Sequence, residues 1–338
     1  MDSTMSFGIV SFGTALGNPV PVADVVGEYS GEAQRILTLG YRNVLRCSPG
    51  VGITDLSVEA GAKALSAAGI DPATVDLVVL AVTDIAEYLY WDAAASVAYR
   101  LGASQAEAVF LTQACTTGVM SLDTVAGKLA THPDYEVALI VAANRCCEGY
   151  WNRMATQPMV FSDGAAAAVV RRGHPRLRWL STAVRTNGRY ADFYRLEQGG
   201  AAAPFGSART RVRDAWDVME FFDYSAAKFA QFANEVDEET KLVVERACAQ
   251  AKTQISDLSK VILLGDSTNA MKELAGRLGV PPMRTNFDLS REYGHLGAAD
   301  QFFSLSHYSD DGDLEPGSHL ALVSHGRGMH WACTVLQV

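Results

Sequence analysis

The order of elements predicted for this chain is run through twice, and no other feature constrains its fold as strongly. In the first half, residues 77–82 read as a buried strand, 92–101 as a helix and 108–111 as a second buried strand. A helix follows over 121–129, then strands at 137–142 and 165–171, the last entered through the turn Ser162-Asp163-Gly164. The second half repeats this order. It has a strand at 260–265, a helix at 269–278 with Ser267 or Thr268 as its cap, a helix at 301–308, and strands at 319–323 and 331–337 around a glycine loop. Strands alternating with helices predict mixed sheets covered by helices on both faces. Two such halves predict an α/β fold of five layers, α-β-α-β-α, with a pseudo-twofold axis. The division falls between 1–172 and 173–338, with 173–179 as the crossing. Residues 185–235 read as an insertion carrying Phe193, Tyr194, Trp216, Phe221, Phe222 and Tyr224. They are either the wall of a substrate tunnel or ordinary core.

Composition narrows the function. The chain has 338 residues, 49% of them hydrophobic and 20% charged, enough apolar material for a large core. A formal net charge of −10 excludes the basic face that a nucleic-acid partner needs. No apolar run is long enough to span a bilayer, so no membrane association is expected. The start Met1-Asp2-Ser3-Thr4-Met5 lacks a basic, apolar leader, and a cytoplasmic location is expected. The six cysteines (47, 115, 146, 147, 248, 333) show neither CxxC pairing nor ligand spacing with histidine, so neither a metal site nor a disulfide framework is expected.

One of those cysteines stands apart. Phe110-Leu111-Thr112-Gln113-Ala114-Cys115-Thr116-Thr117-Gly118 places Cys115 where a buried strand gives way to a helix. Unpaired N–H groups and the helix dipole at such a position favour thiolate over thiol. The alternative is a cysteine packed as a small hydrophobe.

The Cys115 elbow, the segment Phe161-Ser162-Asp163-Gly164-Ala165-Ala166-Ala167 and the loop Ser324-His325-Gly326-Arg327-Gly328-Met329-His330-Trp331 together resemble the ketoacyl-acyl carrier protein synthase III family of the thiolase superfamily. The resemblance spans essentially the whole chain. It implies the thiolase-like duplicated sandwich, a homodimer, no permanently bound cofactor, and an acyl group taken onto Cys115 from a carrier-protein or coenzyme A thioester. In the family, a histidine and an asparagine hold the enolate formed when a malonyl group loses carbon dioxide. The family's His-Gln-Ala-Asn is here Asp266-Ser267-Thr268-Asn269, and its Gly-Asn-x-Ser-Ala is Gly294-His295-Leu296-Gly297-Ala298. The pair His/Asn has become Asp/His. An enolate needs donors aimed at its oxygen, and an ionised Asp266 would repel it.

The same residues suit a different reaction. Cys115 as nucleophile, His295 as base and Asp266 as the group orienting His295 form a triad of the acyl-transferase kind. His295 would then take the proton of a hydroxyl attacking the thioester. An acyl group such as malonyl would be passed on whole, forming an ester on an acceptor such as the sugar of a polyketide. The resemblance is to the ester-forming, antibiotic-tailoring branch of the family.

Other residues carry two readings each. The backbone N–H groups of Cys115, Arg327 and Gly328 form an oxyanion hole, or the glycine loop is a tight turn before the last strand. Arg327 pairs with an acyl carboxylate, or points to solvent. His325 and His330 are read as packed or surface histidines. Tyr90, in Ala86-Glu87-Tyr88-Leu89-Tyr90-Trp91, reaches a partner subunit's acyl pocket, as the resemblance implies, or simply packs. The family's tryptophan–arginine clamp for coenzyme A falls on Gln34 and Thr38, which points to delivery by a carrier protein. Asp163 and Gly164 belong to a structural turn. Competing functions are a decarboxylative condensing enzyme, a thioester hydrolase acting as an editor, and a non-catalytic ketosynthase partner.

Overall fold

The computed structural model describes residues 6–155, 158–196, 198–204 and 215–338, and the side chains of residues 215–217, Trp216 among them, lie outside the described set, as do residues 1–5. Along the chain run β1 (Phe7–Leu16), β2 (Asn18–Pro21), α1 (Val22–Tyr29), α2 (Ala33–Leu37), β3 (Asn43–Arg46), α3 (Ile53–Ala68), β4 (Leu77–Val82) and α4 (Ala93–Leu101). Then come β5 (Glu107–Leu111), α5 (Thr117–Thr131), β6 (Val137–Asn144), β7 (Gly164–Arg172), β8 (Arg178–Thr186), α6 (Ala215–Glu220) and α7 (Ala226–Gln250). The chain closes with β9 (Leu258–Ile262), α8 (Thr268–Arg277), α9 (Phe287–Tyr293), α10 (Asp300–Asp310), β10 (His319–Gly326) and β11 (His330–Gln337).

One nine-stranded sheet in the order β5-β4-β6-β7-β1-β8-β11-β10-β9 runs through both halves. Its two parts meet at a single bridge, Gly8 to Arg178. Within the first part, β4 pairs parallel with β5 and β6, while β7 is antiparallel to both β6 and β1. The second part repeats the pattern: β9 is parallel to β10, and β11 is antiparallel to both β10 and β8. Among the described residues it lacks a counterpart of β5. In that place Thr285 makes a lone parallel bridge to Val261.

Strand side chains alternate between two cores, as a pleat with both faces buried requires. On β4, Val78, Leu80 and Val82 join Leu56, Ala60 and Val97 of α3 and α4 in an outer core. Leu77, Val79 and Ala81 point the other way, into a central core with Leu122 and Val125 of α5 and Phe302 and Leu305 of α10. On β10, Leu320 and Leu322 enter the same central core, while Ala321 and Val323 meet Val243 and Val244 of α7 in a second outer core. The result is a thiolase-like α-β-α-β-α sandwich.

The central layer is thin where α5 begins. A Cβ on Gly118 would lie 2.0 Å from the Ala298 carbonyl oxygen, so only glycine lets α5 start against the turn that leads into α10. The aromatic segment is mostly core: Phe193, Phe222 and Phe232 pack with α7 in the outer core. Phe193, Tyr194, Phe229 and Phe232 also line the cavity described next, so the stretch is at once core and cavity wall.

Candidate active site

Cys115 sits in a one-turn 3-10 segment, Ala114–Thr116, between β5 and α5. Ala114 before it has φ +53°, a left-handed conformation that costs a non-glycine residue about 1 kcal/mol or more. Thr117 Oγ1 donates to the Ala114 carbonyl, and Ser324 Oγ on β10 donates to the Cys115 carbonyl at 2.8 Å, fixing the elbow from both halves. A Cβ on Gly326 would come within 3.0 Å of the Cys115 nitrogen, so the hairpin between β10 and β11 approaches the elbow through a glycine.

His295 follows α9 and is fully buried. Its N–H donates to the Val160 carbonyl, and its own carbonyl accepts from the Ser162 N–H at 2.8 Å, so residues 160–162 hold it by the backbone. The Phe161 ring stands edge-on to the imidazole at 4.8 Å. Nε2 is 3.1 Å from Cys115 Sγ. Nδ1 is 2.6 Å from Asp300 Oδ2. Asp300 can only accept, so Nδ1 carries the hydrogen and Nε2 is the nitrogen that exchanges a proton with the sulfur. Burial works against charge on His295, but the Asp300 carboxylate and the Cys115 sulfur outweigh it, and the imidazole is held well above the usual histidine range.

Asp300, not Asp266, is therefore the residue that orients His295. It is the first residue of α10, five positions beyond the histidine across the turn Gly297–Ala299. Its Oδ1 accepts the Leu296 N–H at 2.7 Å, and its Oδ2 accepts the Gly265 N–H at 2.8 Å as well as the ring. That last bond ties the loop carrying Asp266 to Asp300 through the backbone. The Asp266 side chain lies elsewhere: it lines the cavity and accepts the Ser267 N–H. Burial pushes its carboxyl up to about 6, against the pull of Ser267 and His295.

The cavity above Cys115 has a volume of ≈ 270 Å³ and is walled by both halves of the molecule. Arg327 lines it from the hairpin, donating from Nη2 to the Thr83 carbonyl at 2.9 Å, with its guanidinium 5.9 Å from the Trp151 ring. It faces Asp84, a carboxyl raised by burial and drawn back down by Arg327 and by the N–H groups of Cys147 and Ile85. The hairpin residue seen against the Cys115 amide is Gly326, whereas Gly328 packs on the His330 ring. His325 lines the cavity too, its pKa pushed down to about 4 by burial and by His295 beside it. His330 is half-buried and bonded to Thr186 Oγ1.

Tyr90 does not reach this cavity from its own chain. It is fully exposed, with Tyr88, Leu89 and Tyr99 also exposed nearby. Gln34 and Thr38 fall on and just after α2, where Thr38 Oγ1 donates to the Arg35 carbonyl. Asp163 is a buried hub that accepts from Cys47 N, Cys146 N and Arg153, as befits a structural turn.

Two family models match the chain, 3-oxoacyl-[acyl-carrier-protein (ACP)] synthase III over residues 111–188 and its C-terminal region over 248–338. A β-ketoacyl-[acyl-carrier-protein] synthase III of Gloeobacter violaceus is 30% identical over 296 residues, 86% of this chain and 85% of the relative. Among solved structures, a protein named ChlB3 and described as an acyltransferase superposes with a TM-score of 0.86 at 23% identity, covering 98% of both chains. The 3-oxoacyl-(acyl carrier protein) synthase III of Pseudomonas aeruginosa superposes with a TM-score of 0.80 at 22% identity, again over 98% of both. By fold, matched segments and sequence identity, the chain belongs to the 3-oxoacyl-(acyl carrier protein) synthase III family of the thiolase superfamily.

Proposed function

We propose that the protein is an acyltransferase that carries a short acyl group on Cys115 and passes it intact to a hydroxyl, forming an ester. One observation carries the reading: in the relay Cys115 Sγ–His295–Asp300, with contacts of 3.1 and 2.6 Å, the group behind His295 is an acceptor, which suits proton exchange at the sulfur better than two donors held out to an enolate. The N-terminal half, 1–172, supplies the nucleophile, and 173–338 supplies His295, Asp300 and Asp266.

Cys115 gives its proton to His295 Nε2 and attacks the thioester carbonyl of an acyl donor. The departing pantetheine sulfur takes that proton back, leaving acyl-Cys115 and a neutral imidazole. An acceptor hydroxyl then gives its proton to Nε2 while its oxygen attacks the acyl carbon. The C–S bond breaks, the ester leaves, and the cysteine–histidine pair is restored. Throughout, Asp300 keeps Nδ1–H in place and balances the imidazolium. The first amides of the turn at Cys115 have no helical acceptor, and with the hairpin backbone at Gly326 to Gly328 they supply donors for the tetrahedral oxyanion.

The donor is an acyl carrier protein or coenzyme A thioester, and no permanently bound cofactor takes part. Arg327 suits a carboxylate-bearing acyl group such as malonyl. The sugar of a polyketide suits the acceptor, which would set the protein beside the malonyltransferase of cervimycin biosynthesis. The exposed Tyr88–Tyr90 segment suits a homodimer in which Tyr90 reaches the partner's acyl pocket.

A decarboxylative condensing enzyme is the second reading, favoured by the name of the Gloeobacter relative. His295→Ala and Asp300→Asn, assayed by stopped-flow loading and transfer, distinguish the two. Ester transfer should fall about 10²- to 10⁴-fold in both variants, while Cys115 still acquires label. Wild-type transfer by either would remove that residue from the mechanism.

A further inference from the structure

The wall of the cavity nearest α7 and α8 is acidic, and the charge is only partly cancelled. Asp266 after β9, Asp237 on α7 and Glu273 on α8 all line it. The nearby cations are mostly committed elsewhere. Arg327 faces Asp84, and His295 is held by Asp300. Arg277 pairs with Asp237 at 3.0 Å and with Glu238 at 3.1 Å, and Lys272 lies over the Phe287 ring at 5.2 Å. Among the described residues, Asp266 and Glu273 have no ion-pair partner, and the hydrogen bonds of the Asp266 carboxylate come only from Ser267.

The rest of the lining offers acceptors as well. Asn144, 1% exposed at the end of β6, gives its Nδ2 to the Ser162 carbonyl at 2.7 Å. Asn144 lines the cavity, and among the described residues that is its one side-chain hydrogen bond, which leaves Oδ1 as an acceptor for a ligand. The neutral His325 ring likewise lines the cavity without a hydrogen bond among them. An amide oxygen, an unpaired imidazole and two uncancelled carboxylates match a ligand rich in donors and carrying positive charge. At this wall an anion or a plain hydrocarbon would leave these acceptors desolvated and unpaired, which opposes its binding there. A cation would pair with them, and the Phe229 and Phe232 rings on the same wall offer faces to it.

Resting on the ester-transfer reading, we propose that the acceptor is a cationic alcohol, an amino sugar or other amino alcohol, whose protonated amine is paired with Asp266 while its hydroxyl reaches acyl-Cys115. Asp266 is on this account a binding and specificity residue. It replaces the donor an enolate would need with an anchor for a cation.

The probes are trans-4-(dimethylamino)cyclohexanol and its uncharged isostere, trans-4-isopropylcyclohexanol. Calorimetry on the resting full-length protein should show the amine binding about tenfold or more tighter than the isostere at low salt. The preference should collapse toward parity in Asp266→Asn and shrink two- to threefold in Glu273→Gln, whose side chain is exposed enough for the substitution to leave folding intact. Equal binding of the two probes, or a preference that survives in both variants, would overturn the proposal. Ester formation from acyl-Cys115 is then scored with the same probes. No ester with either alcohol would count against the transfer reading, while the binding comparison still decides the charge of the acceptor.

Discussion

Asp300 accepts three hydrogen bonds, from His295 Nδ1 and from the N–H groups of Leu296 and Gly265, which fix its carboxylate in place. Asp266 is held less fully, with hydrogen bonds from Ser267 alone among the described residues. Its carboxyl is raised to about 6, chiefly by burial, against about 3.9 for a free aspartate. The folded state therefore holds that proton more tightly than the unfolded state does. Below pH 4 both states are protonated and nothing is lost. As pH rises from 4 to 6 the unfolded state gives up this proton while the folded state keeps it, so stability falls, and above 6 the full cost remains, about 3 kcal/mol at most. Asp266→Asn should thus raise the thermal midpoint at pH 8 and leave it nearly unchanged at pH 4. A pH-independent shift would mean that the Asp266 carboxylate is not under this strain. Asp300 was not picked out in the sequence: it lies one residue before the helix predicted over 301–308, and an acid at the start of a helix is a placement the helix dipole explains by itself. Nothing local marked it as the partner of a histidine five residues earlier, because the intervening turn, not helical spacing, brings them together.

At the scale of elements, His295 is only as well placed as the segment 160–164 that holds it. That segment is pinned by Asp163, which is fully buried and paired with Arg153 at 3.3 Å and Arg145 at 3.2 Å. Removing one partner of a buried pair leaves the other charge uncompensated, and Arg153 is 1% exposed. Asp163→Ala should cost about 3–5 kcal/mol in urea denaturation. A loss below about 1 kcal/mol would show that Arg153 finds other partners, since the effect would be that of an ordinary surface change. The elements that were legible are those with strong local patterns. The wholly buried run of β4 coincides with its predicted bounds, and α8 begins at Thr268 with Ser267 Oγ accepting the Ala270 N–H as its cap. The elements missed have weaker signals. β1 is interrupted by Ser11, Gly13 and Thr14, and α7 starts inside the aromatic stretch read as an insertion, where rings obscure a helical stripe.

Over the whole molecule, the site exists because the two halves close on each other. Cys115 and His295 are 180 residues apart, one from each half. Sequence patterning supplied each residue on its element, but their distances depend on how the sandwich closes, which no local pattern encodes. The exposed Tyr88, Leu89 and Tyr90 cluster belongs to this scale as well. If it is a dimer face, sedimentation should give a dimer, and Leu89→Arg should shift it to monomer and slow loading of Cys115. An unchanged dimer in that variant would place the interface elsewhere. Intact-protein mass spectrometry with labelled malonyl thioester, followed by addition of a hydroxyl acceptor, tests the central claim most directly. We predict a malonyl adduct on Cys115 that keeps its carboxylate and disappears as an equal amount of malonyl ester forms. Loss of labelled carbon dioxide with appearance of a β-keto product would contradict it.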